Sequence, residues 1–214
     1  MLLYIDTANL DEIKQAHDLG VLDGVTTNPS LIAKEGIDYG KRLAEICKVV
    51  AGPVSAEVIA LDFDGMVREG RERARIAPNI VVKLPCTVEG LKACKALTDE
   101  GTRTNMTLCF QPLQALMVAK AGAFLVSPFI GRLDDVAEEG MDVIHKIRQI
   151  YDNYGMPTKI LAASIRHSTH MLQCALAGAD VATVPFKVIM EFMKHPLTDV
   201  GIAKFLADYK KAFG

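Results

Sequence analysis

The sequence has no surplus of either charge. Its 24 Lys and Arg stand against 26 Asp and Glu, a formal net charge of -2. It therefore lacks the basic excess with which a general nucleic-acid binder neutralises phosphates. Long hydrophobic runs are missing too: none approaches the roughly 20 residues of a membrane-spanning helix. The opening segment, MLLYIDTANLDEI, has no basic stretch ahead of its apolar residues, and Asp6 interrupts them at once, so no secretory signal is expected. None of the five cysteines (Cys47, Cys86, Cys94, Cys109, Cys174) belongs to a C-x-x-C pair. Scattered single thiols point to a reducing cytoplasm, where Cys packs as a small core residue. No segment has the composition of a linker. Neither a G-x-G-x-x-G turn nor a P-loop is present.

What the chain does have is a 50% hydrophobic content, enough to fill a core, and a repeated alternation. Short apolar, β-branched runs occur at 2–6, 24–28, 54–58, 80–85, 103–108, 123–129, 159–164 and 180–185. Near-continuous apolar runs of this kind suit parallel strands covered on both faces. Longer helical patterns lie between them, among them 62–77, 88–101 and 135–155. Eight strand–helix units in 214 residues leave about 27 residues each, the scale of a minimal (β/α)8 TIM barrel. An open doubly-wound sheet is the alternative, but its usual glycine-rich first turn is absent. The expectation is an α/β protein with one barrel domain over residues 1–214. After Lys194-His195-Pro196, a further helix is expected at about 199–213. Ile202, Phe205, Leu206, Tyr209 and Phe213 would share one of its faces, to pack on the barrel itself or on a neighbouring subunit.

Active sites of such barrels sit at the C-terminal ends of the strands. The polar residues there are Asp6, Thr27, Asn28, Glu57, Lys83, Asn105, Thr107, Ser127, Ser164 and Arg166. Lys83 is the most informative, because it interrupts the apolar run IVVKLP. A desolvated Lys must be paired or neutral, and a neutral amine is what a Schiff-base nucleophile needs. Asp6 and Glu57 would place two carboxylates at the same mouth, able to move protons through imine and retro-aldol steps. The bland alternatives are an ion-paired Lys83 and an Asp6 that caps the helix beginning near Asn9. Arg132 and Arg166, with Ser164 beside them, form a candidate phosphate clamp. The alternative for Arg132 is a pair with Asp134 or Asp135. His167 and His170 are three residues apart, but no nearby carboxylate or third His completes a ligand set, so no metal is expected. Met190 and Met193 read as core, and the run 68–75 as a solvated helix face.

Several blocks then coincide in one order: YIDTANLDEI, GVTTNPSLIAKEG, VSAEV, IVVKLPCTVEGL, TNMTLCF, VSPFIGRLDD, LAASIRH and KHPLTDVGIAKFLADY. Across essentially its whole length the chain resembles the transaldolases, specifically the short single-barrel branch that also includes the fructose-6-phosphate aldolases. The resemblance implies a cytoplasmic, cofactor-free and metal-free enzyme of the pentose phosphate pathway. Such an enzyme moves a dihydroxyacetone unit from sedoheptulose 7-phosphate or fructose 6-phosphate to glyceraldehyde 3-phosphate or erythrose 4-phosphate. Carried over, Lys83 forms the Schiff base and Asp6 is the general acid/base, while Glu57 and Thr107 hold the catalytic water. Asn28, Asn105 and Ser127 meet substrate hydroxyls, and Arg132, Ser164 and Arg166 bind the phosphate. Aldolase-type members resemble this chain but carry Gln in place of Glu57 and Tyr in place of Phe129, so both positions favour transaldolase. The resemblance further implies sugar phosphates as the only partners besides other copies of the chain, in a ring such as a decamer, with no nucleic acid or membrane. A fructose-6-phosphate aldolase, a deoxyribose-phosphate-type aldolase and a non-catalytic phosphosugar-binding barrel are the alternatives.

Overall fold

Each of the eight apolar runs forms a strand. In a computed structural model describing residues 1–214, these are β1 (Leu2–Asp6), β2 (Gly24–Thr26), β3 (Val54–Glu57), β4 (Ile80–Pro85), β5 (Thr104–Cys109), β6 (Leu125–Pro128), β7 (Lys159–Ala162) and β8 (Val181–Val184). All neighbours pair in parallel and β8 closes onto β1, giving a closed (β/α)8 barrel. The helices of the first half are α1 (Leu10–Asp18), α2 (Pro29–Lys34), α3 (Tyr39–Val49), α4 (Phe63–Ala74) and α5 (Val88–Asp99). Those of the second half are α6 (Pro112–Lys120), α7 (Ile130–Asp134), α8 (Gly140–Tyr154), α9 (Ser168–Leu176), α10 (Phe186–Ile189) and α11 (Pro196–Phe213).

Strand parity explains both the core and the site. Side chains alternate across a strand, and the outward set, such as Ile5, Ala56, Val82, Met106 and Ala182, joins the main core between barrel and helices. The inward set begins with Tyr4, Val81, Leu125, Leu161 and Val181, which make a second, smaller cluster inside the barrel. This apolar plug closes the lower lumen. One step further along four of these strands, two residues on, the inward position turns polar: Asp6 above Tyr4, Lys83 above Val81, Ser127 above Leu125, Thr183 above Val181; on β7 it stays apolar, with Ala163 above Leu161. The register carries this row around the barrel, pairing Asp6 with Thr26, Glu57 with Lys83, and Lys83 with Asn105. A strand that looks wholly apolar except for one lysine is therefore a strand whose inward face meets the cavity at that lysine.

Two helical expectations shift. The stretch 135–155 is helical only from Gly140, as α8; residues 135–139 are the loop that leads from α7, turning through Ala137 at φ 62°. The terminal helix starts at Pro196, three residues early, since proline suits the first helical position and His195 caps it. No residue of α11 is buried. Ile202 is 53%, Phe205 73%, Leu206 58%, Tyr209 65% and Phe213 78% exposed, so the apolar face does not pack on its own barrel. Met190 and Met193 are exposed as well, not core. No helix is long and apolar enough to cross a membrane.

Candidate active site

The polar row opens into two adjoining cavities at the C-terminal mouth. One, of about 400 Å³, is lined by Asp6, Thr26, Asn28, Lys83, Ser127 and Phe129 on one side. Arg132, Ser164, Arg166, Thr183 and Lys187 complete its rim. The other, of about 670 Å³, adds Glu57, Thr107, Leu108 and Lys34, and shares Asn28, Lys83, Phe129, Arg132 and Arg166. A phosphorylated sugar fits a space of this size and polarity.

Lys83 is 5% exposed. Its Nζ lies 3.0 Å from Glu57 Oε2 and donates to the Thr27 carbonyl at 3.1 Å. A cation this deep is tolerable only because a carboxylate and a backbone acceptor meet it together. The strands hold both: Glu57 is Lys83's register partner, and Tyr39, at the start of α3, donates its hydroxyl to the Glu57 carbonyl at 2.8 Å. Arg73 lies 4.4 Å over the Tyr39 ring, and burial pushes the Tyr39 phenol up to about 12, so it remains a donor.

Asp6 does not cap α1; Asn9 does, accepting from Asp11 and Glu12. The Asp6 carboxylate instead accepts from Thr26 Oγ1 at 2.8 Å. Burial raises its pKa above the ordinary carboxylate range, partly offset by the Lys83 charge and the Thr26 hydrogen bond. A carboxylate so placed holds a proton more readily than a solvated one, as a general acid/base must.

The remaining residues divide by depth. Asn28 caps α2, its Oδ1 accepting from Leu31 N at 2.9 Å, which leaves its amide protons for the cavity. Ser127 reaches the cavity and donates to Asn105 Oδ1 at 2.7 Å, and Asn105 in turn donates to Ser55 at 3.0 Å. Asn105, fully buried, thus sits behind Ser127 and lines neither cavity. Thr107 Oγ1 is buried with no protein partner. The backbone beyond it is irregular: Leu108 adopts φ 58° and the β5–β6 register shifts between Met106 and Cys109. Bulges of this kind re-aim side chains beside functional sites. Thr27, although at a strand end, spends its hydroxyl on the Ser55 carbonyl, and its β2 neighbour Thr26 faces the lumen instead.

The basic rim is asymmetric. Arg166 donates to Asp135 at 2.7 Å, so Asp135 holds Arg166 and not Arg132. Arg132 makes no ion pair; its guanidinium lies 4.8 Å over the Phe129 ring, which meets Phe110 edge-on at 5.8 Å. Ser164 stands between them in the left-handed region, φ 60°, a conformation that costs a non-glycine residue about 1–2 kcal/mol. Strain at a ligand-facing turn is a common companion of function. Lys187, from the short helix α10 after β8, adds a third cation. The histidine pair also gains a carboxylate that spacing did not reveal: Asp134 Oδ2 is 3.1 Å from His170 Nε2. Three or more metal-binding side chains do not converge there or elsewhere.

Sequence reasoning missed Thr26, Thr183, Lys187 and Tyr39. Strand parity would have found the two threonines, each an even number of residues from an inward neighbour. Nothing in the sequence places Lys187 or Tyr39, whose positions depend on the path of a loop and on helix packing.

Comparisons with known proteins show the family of the chain. A family model described as Transaldolase/Fructose-6-phosphate aldolase matches residues 3–214. Similar curated proteins include a "Probable transaldolase" of Geotalea uraniireducens, 59% identical over 211 residues, covering 99% of each chain. A "Probable transaldolase 1" of Bacillus cereus is 60% identical over 211 residues, covering 99% of this chain and 98% of its own. A "Probable transaldolase" of Roseiflexus sp. is also 60% identical, over 98% of this chain and 97% of its own.

Proposed function

Because the chain belongs to the transaldolase/fructose-6-phosphate aldolase family, we propose that it transfers a dihydroxyacetone unit between sugar phosphates through a Schiff base on Lys83. The observation that carries this reading is a buried amine 3.0 Å from one carboxylate, with a second carboxylate of raised pKa on the same cavity.

The chemistry follows from the arrangement. Lys83 Nζ gives up a proton and attacks the ketose C2 carbonyl, and loss of water from the carbinolamine leaves an imine. Glu57 is the nearest acceptor for the amine proton. Thr107, buried without a protein partner, is left to hold the water with Glu57. Asp6 takes the C4 hydroxyl proton, the C3–C4 bond breaks, and its electrons pass into the imine to give an enamine as the aldose leaves. The same steps in reverse join the enamine to an acceptor aldehyde, and hydrolysis frees Lys83. Asn28 offers its amide protons to the sugar hydroxyls, and Ser127, whose own proton is held by Asn105, offers an acceptor. Asn105 acts by orienting Ser127, while Arg132, Ser164 and Arg166, joined by Lys187, take the phosphate. Neither a metal nor an organic cofactor enters these steps. Fructose 6-phosphate or sedoheptulose 7-phosphate is the donor and glyceraldehyde 3-phosphate or erythrose 4-phosphate the acceptor, as in the pentose phosphate pathway.

Transfer is favoured over release because Glu57 and the hydroxyl-free Phe129 border the imine-bearing cavity. Turnover of fructose 6-phosphate should depend on an added aldose phosphate, yielding sedoheptulose 7-phosphate with erythrose 4-phosphate as acceptor. Acceptor-independent release of dihydroxyacetone at the same rate would contradict the reading. In the Glu57→Gln/Phe129→Tyr variant that release should rise relative to transfer; an unchanged product ratio would remove these two residues from the argument.

A further inference from the structure

A feature of the mouth lies outside the steps above: two buried hydroxyls in contact, on the strands flanking β1. Thr26 Oγ1 is 2.8 Å from Asp6 Oδ1 and 2.5 Å from Thr183 Oγ1, and both threonines are 3% exposed. Strand β1 lies between β2 and β8, so the pair spans in front of Asp6 from one neighbour to the other. We infer that Thr26 and Thr183 form a directional hydroxyl relay that anchors Oδ1 of Asp6 and leaves Oδ2 as its proton-accepting oxygen. The inference rests on the reading of Asp6 as the acid/base of an aldol reaction, and it makes both threonines positioning residues.

Proton counting sets the direction. An ionised carboxylate only accepts, and each hydroxyl has one proton. Thr26 must therefore donate to Asp6 Oδ1. The contact between the two threonines also requires a proton, and only Thr183 has one to give. Thr183 is left with lone pairs towards the cavity it lines, so it can accept from a substrate hydroxyl but not donate to one. Held at Oδ1, the carboxylate cannot exchange its two oxygens by rotation without breaking the chain. The proton from the substrate then arrives at one defined atom, which is the geometric requirement of general-base catalysis. The chain also stabilises the anion where burial works against it.

The charged groups around Asp6 are Lys83, Arg132, Arg166 and Lys187 across the main cavity, and Glu12, Lys34 and Glu35 on the α1–α2 side. Replacing threonine by valine alters none of them, so a change in pH profile reports the lost hydroxyl. In Thr26→Val the acid limb of kcat/KM should move up by about one to two pH units, the size expected for one hydrogen bond to a charged group. Its kcat should fall more than its KM rises. Thr26→Ser keeps the hydroxyl and should restore the original limb. Thr183→Val should give a smaller shift in the same direction. The double Val variant should shift no further than Thr26→Val alone, because Thr183 reaches Asp6 only through Thr26. An unmoved acid limb in Thr26→Val, or additive shifts in the double variant, overturns the relay. Borohydride with fructose 6-phosphate is run beside these assays on the unaltered protein. Failure to trap an adduct there overturns the aldol reading itself, whereas an adduct with an unmoved Thr26→Val limb overturns the relay alone.

Discussion

Among the residues of the mouth, Asp6 is the one whose burial works against the fold. Its pKa in the folded chain lies above that in the unfolded chain, so the ionised form is the disfavoured one, and its contribution to stability falls as pH rises through the folded-state value. Asp6→Asn removes that charge, and its melting temperature at neutral pH should equal or exceed that of the unaltered protein while turnover is lost. A clear drop in melting temperature would mean that the Lys83 and Thr26 contacts outweigh the burial. The basic rim supports a second expectation. Arg166 spends part of its guanidinium on Asp135, whereas Arg132 has no carboxylate partner. Arg132→Ala should therefore raise KM for fructose 6-phosphate at least as much as Arg166→Ala, with steady-state kinetics as the check. Lys83, Asp6 and Glu57 were legible in the sequence because a charged residue ending an apolar strand has few bland explanations. Thr26 and Thr183 were not, since threonine is common in strands for its shape alone. Thr27 drew attention in place of Thr26 because a two-residue polar end does not declare which member faces inward.

At the level of elements, the site depends on how closely the β6 and β7 turns approach. Gly131 donates its N–H to the Ser164 carbonyl at 3.1 Å, and Ile130 N–H donates to the Ala163 carbonyl at 3.1 Å. A Cβ on Gly131 would stand 2.2 Å from the Ser164 oxygen and 2.7 Å from Arg166 Nε. Gly131→Ala must push the turns apart, moving Arg132, Ser164 and Arg166 together. It should destabilise by about 1–3 kcal/mol in a denaturant titration, as overpacking does, and raise KM for the phosphorylated ketose while Lys83 remains reactive. All eight strands were legible, because parallel strands covered on both faces are apolar almost throughout. The start of the helix expected over 135–155 was not: the left-handed Ala137 turns the chain and α8 begins only at Gly140. The bulge at Leu108 left no sequence signal either, since neither glycine nor proline marks it.

For the whole molecule, parity and packing divide the labour: an apolar plug seals the lower lumen, the helices cover the barrel, and the polar row faces the open end. The sequence supported that architecture and the apolar face of α11, but not where the face would go. Nothing in the chain covers Phe205, Leu206 or Tyr209, and an apolar stripe this long is characteristic of an interface. We expect a homo-oligomer, a ring in keeping with the family resemblance, built partly on this helix. Phe205→Glu/Tyr209→Glu should lower the assembly size in analytical ultracentrifugation, and an unchanged size would exclude α11 from the contact. The central claim, that Lys83 is the nucleophile, is tested most directly by borohydride reduction of the protein mixed with fructose 6-phosphate, followed by peptide mass spectrometry. A reduced three-carbon adduct should appear on the peptide at Lys83 and none on the Lys83→Met variant. An adduct on another lysine, or no adduct at all, would contradict that claim.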